Sequence, residues 1–412
     1  MKRRVVITGC GVVTPAGTEL DPFWSALMSG SCFIAPLRGF SCLGMEGLMG
    51  AEVELPAADA LPPEVDLDER RSRCAALALA AARRAWTDAA WPPGADLGSV
   101  GVVMGSTMAE ERQVTDLSDR GKTRAQAHPG HWLDSLDAGF LVRANNHRLP
   151  ALIAAQHELG GPVMLNATAC SSGNAATAWA YDLVASGAAT AMLAGGADSF
   201  TRLIYAGFHR MGALSKSVCR PFDRRRDGVS FGEGAAMVML EDLEHARRRG
   251  ARIYAELAGY GVSNDAHHIT APEPNGEGFA RAMNQALTST GTAAGEISYV
   301  SAHGTGTPYN DVGEARAMKA VFAERARQIP ISSIKSMIGH TNGAAGAIET
   351  VACALALGHQ AVPPTANLEE PDPECDLDCV PGRGREMRVE TCLNLGAGFG
   401  GFNVCVLLKR VP

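Results

Sequence analysis

One local pattern occurs twice in this chain, and its repetition limits the folds open to it. The apolar run Val163–Ala167 meets a tight polar turn, Thr168-Ala-Cys170-Ser-Ser-Gly173, and a helix of small residues then runs to Ser186. Nearer the end, Ile329–Ile334 leads through His340-Thr-Asn-Gly343 into a second Ala- and Gly-rich helix, Ala344–Leu357. In each copy a glycine follows a chemically reactive side chain by three positions. Helices this lean suit a crowded layer between two sheets, because small residues let backbones approach closely.

The rest of the chain supports layers. Strand-like runs cover Val5–Val13, Val100–Gly105, Val163–Ala167, Ala191–Ala194, Ala235–Leu240, Ile253–Ser263, Ile297–Ala302, Ile329–Ile334 and Val404–Leu408. Helical spacing falls between them at Arg70–Ala85, Ala151–Leu159, Asn174–Ser186, Gly278–Ser289, Val312–Phe322 and Ala344–Leu357. Alternating strands and helices predict an α/β fold. We expect a duplicated five-layer α-β-α-β-α unit, with residues 1–258 carrying the cysteine and residues 259–412 carrying both histidines, the seam lying near Gly259. Met108–Pro150 is polar and irregular and reads as an insertion or cap at a partner surface. Val362–Arg388 is Pro-rich and acidic and reads as an ordered surface connection.

Several function classes are excluded early. A net charge of −7 gives no basic footprint for nucleic acid. No run approaches the roughly 18 apolar residues of a membrane span. The start, Lys2-Arg-Arg-Val5 through Val13, is interrupted by Thr8 and Gly9, which fits a buried strand better than a signal peptide. Its Gly9-x-Gly11 lacks the third glycine of a dinucleotide fingerprint, with Thr at 14. Eleven scattered cysteines without a regular framework imply reduced thiols and a cytoplasmic setting. Cys375 and Cys379 have no second ligand pair at zinc spacing, so no metal site is expected.

Cys170 is the candidate nucleophile. At the start of a helix, the positive dipole end favours the thiolate, the reactive form of the side chain. His303, in His303-Gly-Thr-Gly-Thr307, follows the run Ile297–Ala302 and is placed at a strand end. Together with His340 it offers two neutral imidazoles able to donate hydrogen bonds to an enolate oxygen. Thr305 and Thr307 either bond a substrate arm or close the turn. Lys335 needs a buried partner, and Glu349 in the following helix is the candidate. Asp311 is assigned an ordering part near His303. Gly398-Phe-Gly-Gly401 is a flexible loop around one aromatic, so Phe399, flanked by Gly398 and Gly400, is a candidate gate. His268, in Asp265-Ala-His-His268, is a further candidate for substrate contact, with an exposed turn as the alternative. Arg224–Arg226 and Arg247–Arg249 are basic runs that either stay solvated or dock an acidic partner.

Together these segments resemble the β-ketoacyl-carrier-protein synthase family, across essentially the whole chain. The motifs that carry the resemblance are Thr168-Ala-Cys170-Ser-Ser-Gly, Arg220-Pro-Phe-Asp223-x3-Asp227-Gly, Gly232-Glu-Gly-Ala and His303-Gly-Thr-Gly-Thr. They continue with Ser333-Ile-Lys335-Ser-Met-Ile-Gly-His340, Pro363-Pro-Thr-Ala-Asn367 and Gly398-Phe-Gly-Gly. The resemblance implies a thiolase-like fold, a dimer, and a catalytic set of Cys170, His303 and His340. Lys335 and Glu349 would support it, and Phe399 would gate it. It also implies decarboxylative condensation of an acyl thioester with a malonyl thioester. No cofactor would be bound, the phosphopantetheine arriving on a partner acyl carrier protein.

Two branches of that family compete: the elongating synthase of fatty acid synthesis and the ketosynthase of dissociated (type II) polyketide systems. Ala361-Val-Pro-Pro-Thr-Ala-Asn367, Pro371-Asp-Pro-Glu-Cys-Asp-Leu-Asp378 and Phe402 resemble the second. Ala397 stands where fatty acid enzymes usually carry a bulky Phe, which would widen the space beside the gate. The expected partner is then a second copy of the chain or a chain-length-factor-like subunit. A non-catalytic length-determining subunit would lack the nucleophile, so Cys170 argues against that role. A Cys-His thioester hydrolase would release free acid rather than carbon dioxide.

Overall fold

A computed structural model of the chain describes residues 2–42, 44–59, 72–112, 114, 115, 119 and 145–411. Ten strands dominate it: β1 Val5–Val13, β2 Val100–Gly105, β3 Val163–Asn166, β4 Ala191–Asp198, β5 Gly234–Asp242, β6 Ala255–Asn264, β7 Tyr299–Ser301, β8 Ile331–Ser332, β9 Thr391–Gly398 and β10 Phe402–Lys409. They form two five-stranded halves of the same design. The first half runs β3-β2-β4-β5-β1 and the second β8-β7-β9-β10-β6. In each, the first, fifth and fourth strands pair antiparallel, and the fourth, second and third pair parallel. The halves join where β1 lies antiparallel to β6, through Val5↔Leu257, Val6↔Glu256 and Ile7↔Ala255.

Five helices supply the other layers: α1 Arg73–Asp88, α2 Ser172–Ser186, α3 Glu277–Thr290, α4 Pro308–Phe322 and α5 Ala345–His359. α1 covers the outer face of the first half and α3 with α4 that of the second. α2 and α5 pack on each other and on strands of both halves, so they form the middle layer. Every residue of α5 from Ala345 to Leu357 is buried. A helix buried all round must be apolar and narrow, which its Ala and Gly content provides. The result is a thiolase-like α-β-α-β-α sandwich. The Gly-x-Gly of β1 serves this packing: a Cβ at Gly11 would lie 2.1 Å from the Ala81 carbonyl oxygen of α1.

The internal repeat is closer than the sequence shows, and its register differs. After β3, Ala169 takes a left-handed φ of 51°, a 3-10 turn spans Ala169–Ser171, and α2 follows. After β8 and a short helix, Asn342 takes the same φ of 51°, a 3-10 turn spans Asn342–Ala344, and α5 follows. Cys170 therefore corresponds to Gly343, and His340 corresponds to Ala167. The expected pairing of Cys170 with His340 was out by three residues.

β9 is a central strand that sequence patterning missed. Asn394 and two glycines make Thr391–Gly398 look like loop, since such residues are depleted in strands. Burial overrides the propensity because the side-chain amide N–H groups find partners. Asn394 Nδ2 donates to Gly346 O at 2.8 Å and Thr350 Oγ1 at 3.0 Å, both on α5. Within the predicted insertion Met108–Pro150, residues 120–144 lie outside the described residues. Among the described residues no helix is long and apolar enough to cross a membrane.

Candidate active site

The loops that follow β3, β7, β8 and β9 meet at one cavity of about 480 Å³. Cys170, His303, Thr305, Thr307, His340, Gly398 and Phe399 all line it, with Ala397 beside them. Four separate stretches of chain thus converge: β7, β8 and β9 are mutually parallel, so the loops after them lie side by side, and the loop after β3 reaches the same cavity from the other half.

Cys170 sits in the 3-10 turn, two residues before α2 begins. The helix-dipole expectation of a resting thiolate is corrected here. Burial pushes the thiol up to about 12, and the Asp198 carboxylate pushes in the same direction. Lys335 and the backbone N–H of Cys170 oppose that rise without cancelling it. At neutral pH the sulfur is a thiol, and its proton leaves as the new bond forms.

The two imidazoles lie edge to face, with ring centroids 5.5 Å apart. Burial holds both well below the usual histidine range, and the Lys335 charge adds to it. Both are therefore neutral at physiological pH. The Nδ1 atoms of both rings are buried without a hydrogen-bond partner. The tautomer with its proton on Nε2 avoids a buried unpaired N–H, leaving Nε2–H as the donor. His340 is fixed through its backbone: its N–H donates to Ser230 O at 2.8 Å, and its carbonyl accepts from Gly232 N at 3.0 Å. Its ring stacks on Phe231, with centroids 6.1 Å apart.

His303 is held by a residue that sequence reasoning passed over. Glu314 of α4 accepts from His303 N at 2.7 Å and Gly304 N at 2.8 Å. Asp311, one turn earlier, does not reach His303; it accepts from Gly306 N at 3.2 Å and Phe222 N at 2.9 Å. The two carboxylates stand three residues apart on one helix face, a spacing that brings both to the same loop. That spacing was the available signal. Burial, with Asp311 nearby, pushes the Glu314 carboxyl up to about 8.

Lys335 and Glu349 form the expected buried ion pair, with side chains 1% and 2% exposed. Burial pushes Glu349 up to about 7, against the pull of Lys335. Neither side chain lines the cavity. Lys335 acts through its field, which disfavours protonation of both imidazoles.

Phe399 is 40% exposed and lies in the tight β9–β10 hairpin, where Gly400 and Gly401 take φ values of 88° and 78°. Its ring stacks flat on Phe208, centroids 5.1 Å apart and planes 8° apart. Gly400 does not line the cavity; its N–H donates to Ile269 O at 2.8 Å, tying the hairpin to the 265–272 loop. Thr305 and Thr307 hydroxyls lie 2.9 Å apart. His268 does not line the cavity either. Its Nδ1 accepts from Thr270 N and Ala271 N, each at 3.1 Å, so the ring closes its own turn. Asp265, Thr270, Ala271 and Pro272 from that loop reach the cavity instead.

The basic runs are mostly exposed, with Arg226 and Arg249 turned inward. Arg224 pairs with Glu370, and Arg225 with Glu369, Glu370 and Asp223. Arg226 is buried against Asp372. Arg249 bonds Glu241 and lies over the Trp91 ring, and Arg247 pairs with Glu244. The motifs around Arg224–Arg226 and Asn367 make structural bonds: Asp223 accepts from the N–H groups of Glu369 and Glu370, and Asn367 Nδ2 donates to Ser336 O at 2.8 Å.

The family models described as "Beta-ketoacyl synthase, N-terminal domain" and "Beta-ketoacyl synthase, C-terminal domain" match residues 2–246 and 254–369. A "Putative polyketide beta-ketoacyl synthase 1" of Streptomyces cyaneus is 40% identical, over 99% of this chain and 98% of its own length. A "3-oxoacyl-[acyl-carrier-protein] synthase 2" of Coxiella burnetii is 38% identical, over 100% of this chain and 99% of its own. Among solved structures, "The ishigamide ketosynthase/chain length factor" superposes with a TM-score of 0.92 at 37% identity, covering 100% of both chains.

Proposed function

The chain belongs to the β-ketoacyl synthase family, and we propose that within it the protein is the ketosynthase of a type II polyketide system. It condenses an acyl thioester with malonyl on an acyl carrier protein, releasing carbon dioxide and giving a β-ketoacyl thioester. The observation that carries this is the shared cavity of Cys170, His303 and His340, which brings a nucleophile and two neutral donors together.

The steps follow from that geometry. Cys170 sulfur attacks the acyl thioester carbonyl, and the backbone N–H groups of Cys170 and Phe399 hold the oxyanion. The carrier thiol leaves with a proton, balancing the one lost by Cys170. A malonyl thioester then enters, and its carbonyl oxygen receives hydrogen bonds from His303 and His340. Those bonds strengthen as the carboxylate departs and negative charge moves to the oxygen, which is the condition for catalysis rather than mere binding. The enolate carbon attacks the acyl carbonyl on Cys170, and the sulfur is released and reprotonated. The route uses no metal or redox cofactor; phosphopantetheine arrives on the carrier. We place the protein in the cytoplasm, as a dimer with itself or with a chain-length-factor-like subunit.

The small side chain of Ala397 at the cavity wall favours the polyketide branch, since a β-ketone chain grows without intermediate reduction and needs room beside the gate. The fatty acid branch is favoured by the equally extensive match to the Coxiella synthase. Reconstitution with malonyl carrier protein, its candidate partner subunit and no reductase separates them. A polyketide ketosynthase adds several unreduced units to one starter, read as successive mass increments on the carrier. Arrest after one extension would overturn the polyketide assignment.

A further inference from the structure

The internal repeat exposes an asymmetry beside the nucleophile. β4 and β9 are equivalent strands of eight residues, ending at Asp198 and Gly398. Each end reaches the reactive loop of the other half. Asp198 is fully buried. Its carboxylate accepts from Gly343 N at 2.7 Å, in the loop just after His340. It also accepts from Ser106 Oγ at 2.7 Å, Thr107 N at 2.8 Å, Met108 N at 3.0 Å and Ala109 N at 3.2 Å. Four of these five donors hold Asp198 within its own half, and the Gly343 N–H ties that fixed carboxylate to the other half. At the other end, Gly398 has no side chain. A Cβ there would lie 2.7 Å from Thr168 O and 3.2 Å from Cys170 N. Gly343 N and Cys170 N occupy equivalent positions, so the same backbone donor meets a carboxylate in one half and, in the other, a glycine too close to the turn to carry any side chain.

We propose that Asp198 is a positioning residue for the reaction: its carboxylate fills one copy of an anion pocket and so fixes the loop carrying His340, while glycine at 398 keeps the other copy open for the substrate's oxyanion beside Cys170. The cost of this design is electrostatic. The fixed carboxylate disfavours the thiolate, and Lys335 is the opposing charge. Both neighbouring imidazoles are neutral. The inference rests on the condensation chemistry proposed above, but its first test needs no thioester.

Asp198→Asn keeps the shape, removes the charge and turns an NH2 toward backbone donors. Iodoacetamide alkylation at pH 8, mapped by peptide mass spectrometry, is expected to run about tenfold faster at Cys170, because the charge that disfavours its thiolate is gone. Cys353, Cys392 and Cys405, fully buried elsewhere, stay protected. Carbon dioxide release from malonyl carrier protein is expected to fall by at least about thirtyfold. A Cys170 rate equal to wild type, or equal acceleration at all four thiols, would reduce Asp198 to a fold support and overturn the proposal. Gly398→Ala supplies the second arm. It is expected to lose acyl transfer to Cys170 yet keep alkylation, which forms no oxyanion; unchanged acyl transfer would refute the open pocket. If wild type hydrolyses thioesters instead of condensing them, the alkylation result still stands, so the two failures are distinguishable.

Discussion

Cys170→Ala is expected to abolish acyl loading and to lower condensation by at least about 10⁴-fold. The other ten cysteines cannot substitute: nine are buried and Cys32 is exposed, and Cys170 alone among them lines the cavity. The change removes one sulfur from a buried turn whose backbone is set by Ala169 and by Ser171 and Ser172 hydroxyls, which donate to Thr168 O at 2.8 Å and Ala169 O at 2.5 Å. The fold should therefore survive, with a melting temperature within a few degrees of wild type. Intact-protein mass spectrometry after incubation with an acyl carrier protein gives the answer. An acyl adduct on the variant would show that the sulfur is not the acceptor.

His340→Ala separates the two half-reactions. Acyl loading is expected to persist, because the imidazole makes no hydrogen bond within the Cys170 turn and its own loop is held by the backbone bonds to Ser230 and Gly232. Decarboxylation of malonyl carrier protein is expected to fall by about 10²–10³-fold, the usual effect of deleting one preorganised donor to a developing oxyanion. The pH dependence in wild type follows from the same environment. Burial and Lys335 depress both imidazoles, so the donor-competent neutral form persists well below pH 6.5. Decarboxylation should not fall between pH 8 and 6 in the way a histidine titrating near 6.5 would impose. A fall centred there would mean that the rings are solvated and ordinary.

Much of this was legible in the sequence because the chemistry is local. Cys170 and His303 each follow an apolar run and precede a turn, so their positions just beyond strand ends could be read one at a time; His340 lies further on, past the short helix Lys335–Ile338. What the sequence could not show were effects of crossing between halves. Asp198 and Glu314 looked like ordinary acids on a strand end and a helix; their roles arise only when the Thr107–Ala109 turn, Gly343 and the His303 loop fold against them. β9 was missed because Asn394 and the glycines oppose strand propensity, and only α5 supplies the partners that reverse it. The thiolate expectation failed for a related reason: a helix start favours negative charge, but the depth of Cys170 and a neighbouring carboxylate are tertiary facts. His268 was misplaced as a site element because an exposed polar residue in sequence gives no sign of the turn N–H groups that already hold its ring.

A single-turnover experiment tests the central claim most directly. Enzyme preloaded with an acyl group on Cys170 is mixed with malonyl carrier protein labelled in its free carboxylate, and gas and carrier-bound product are counted together. The account predicts one labelled carbon dioxide for each β-ketoacyl carrier formed, with the sulfur returned free. Release of the acyl group as free acid, with the label still on the carrier, would contradict it.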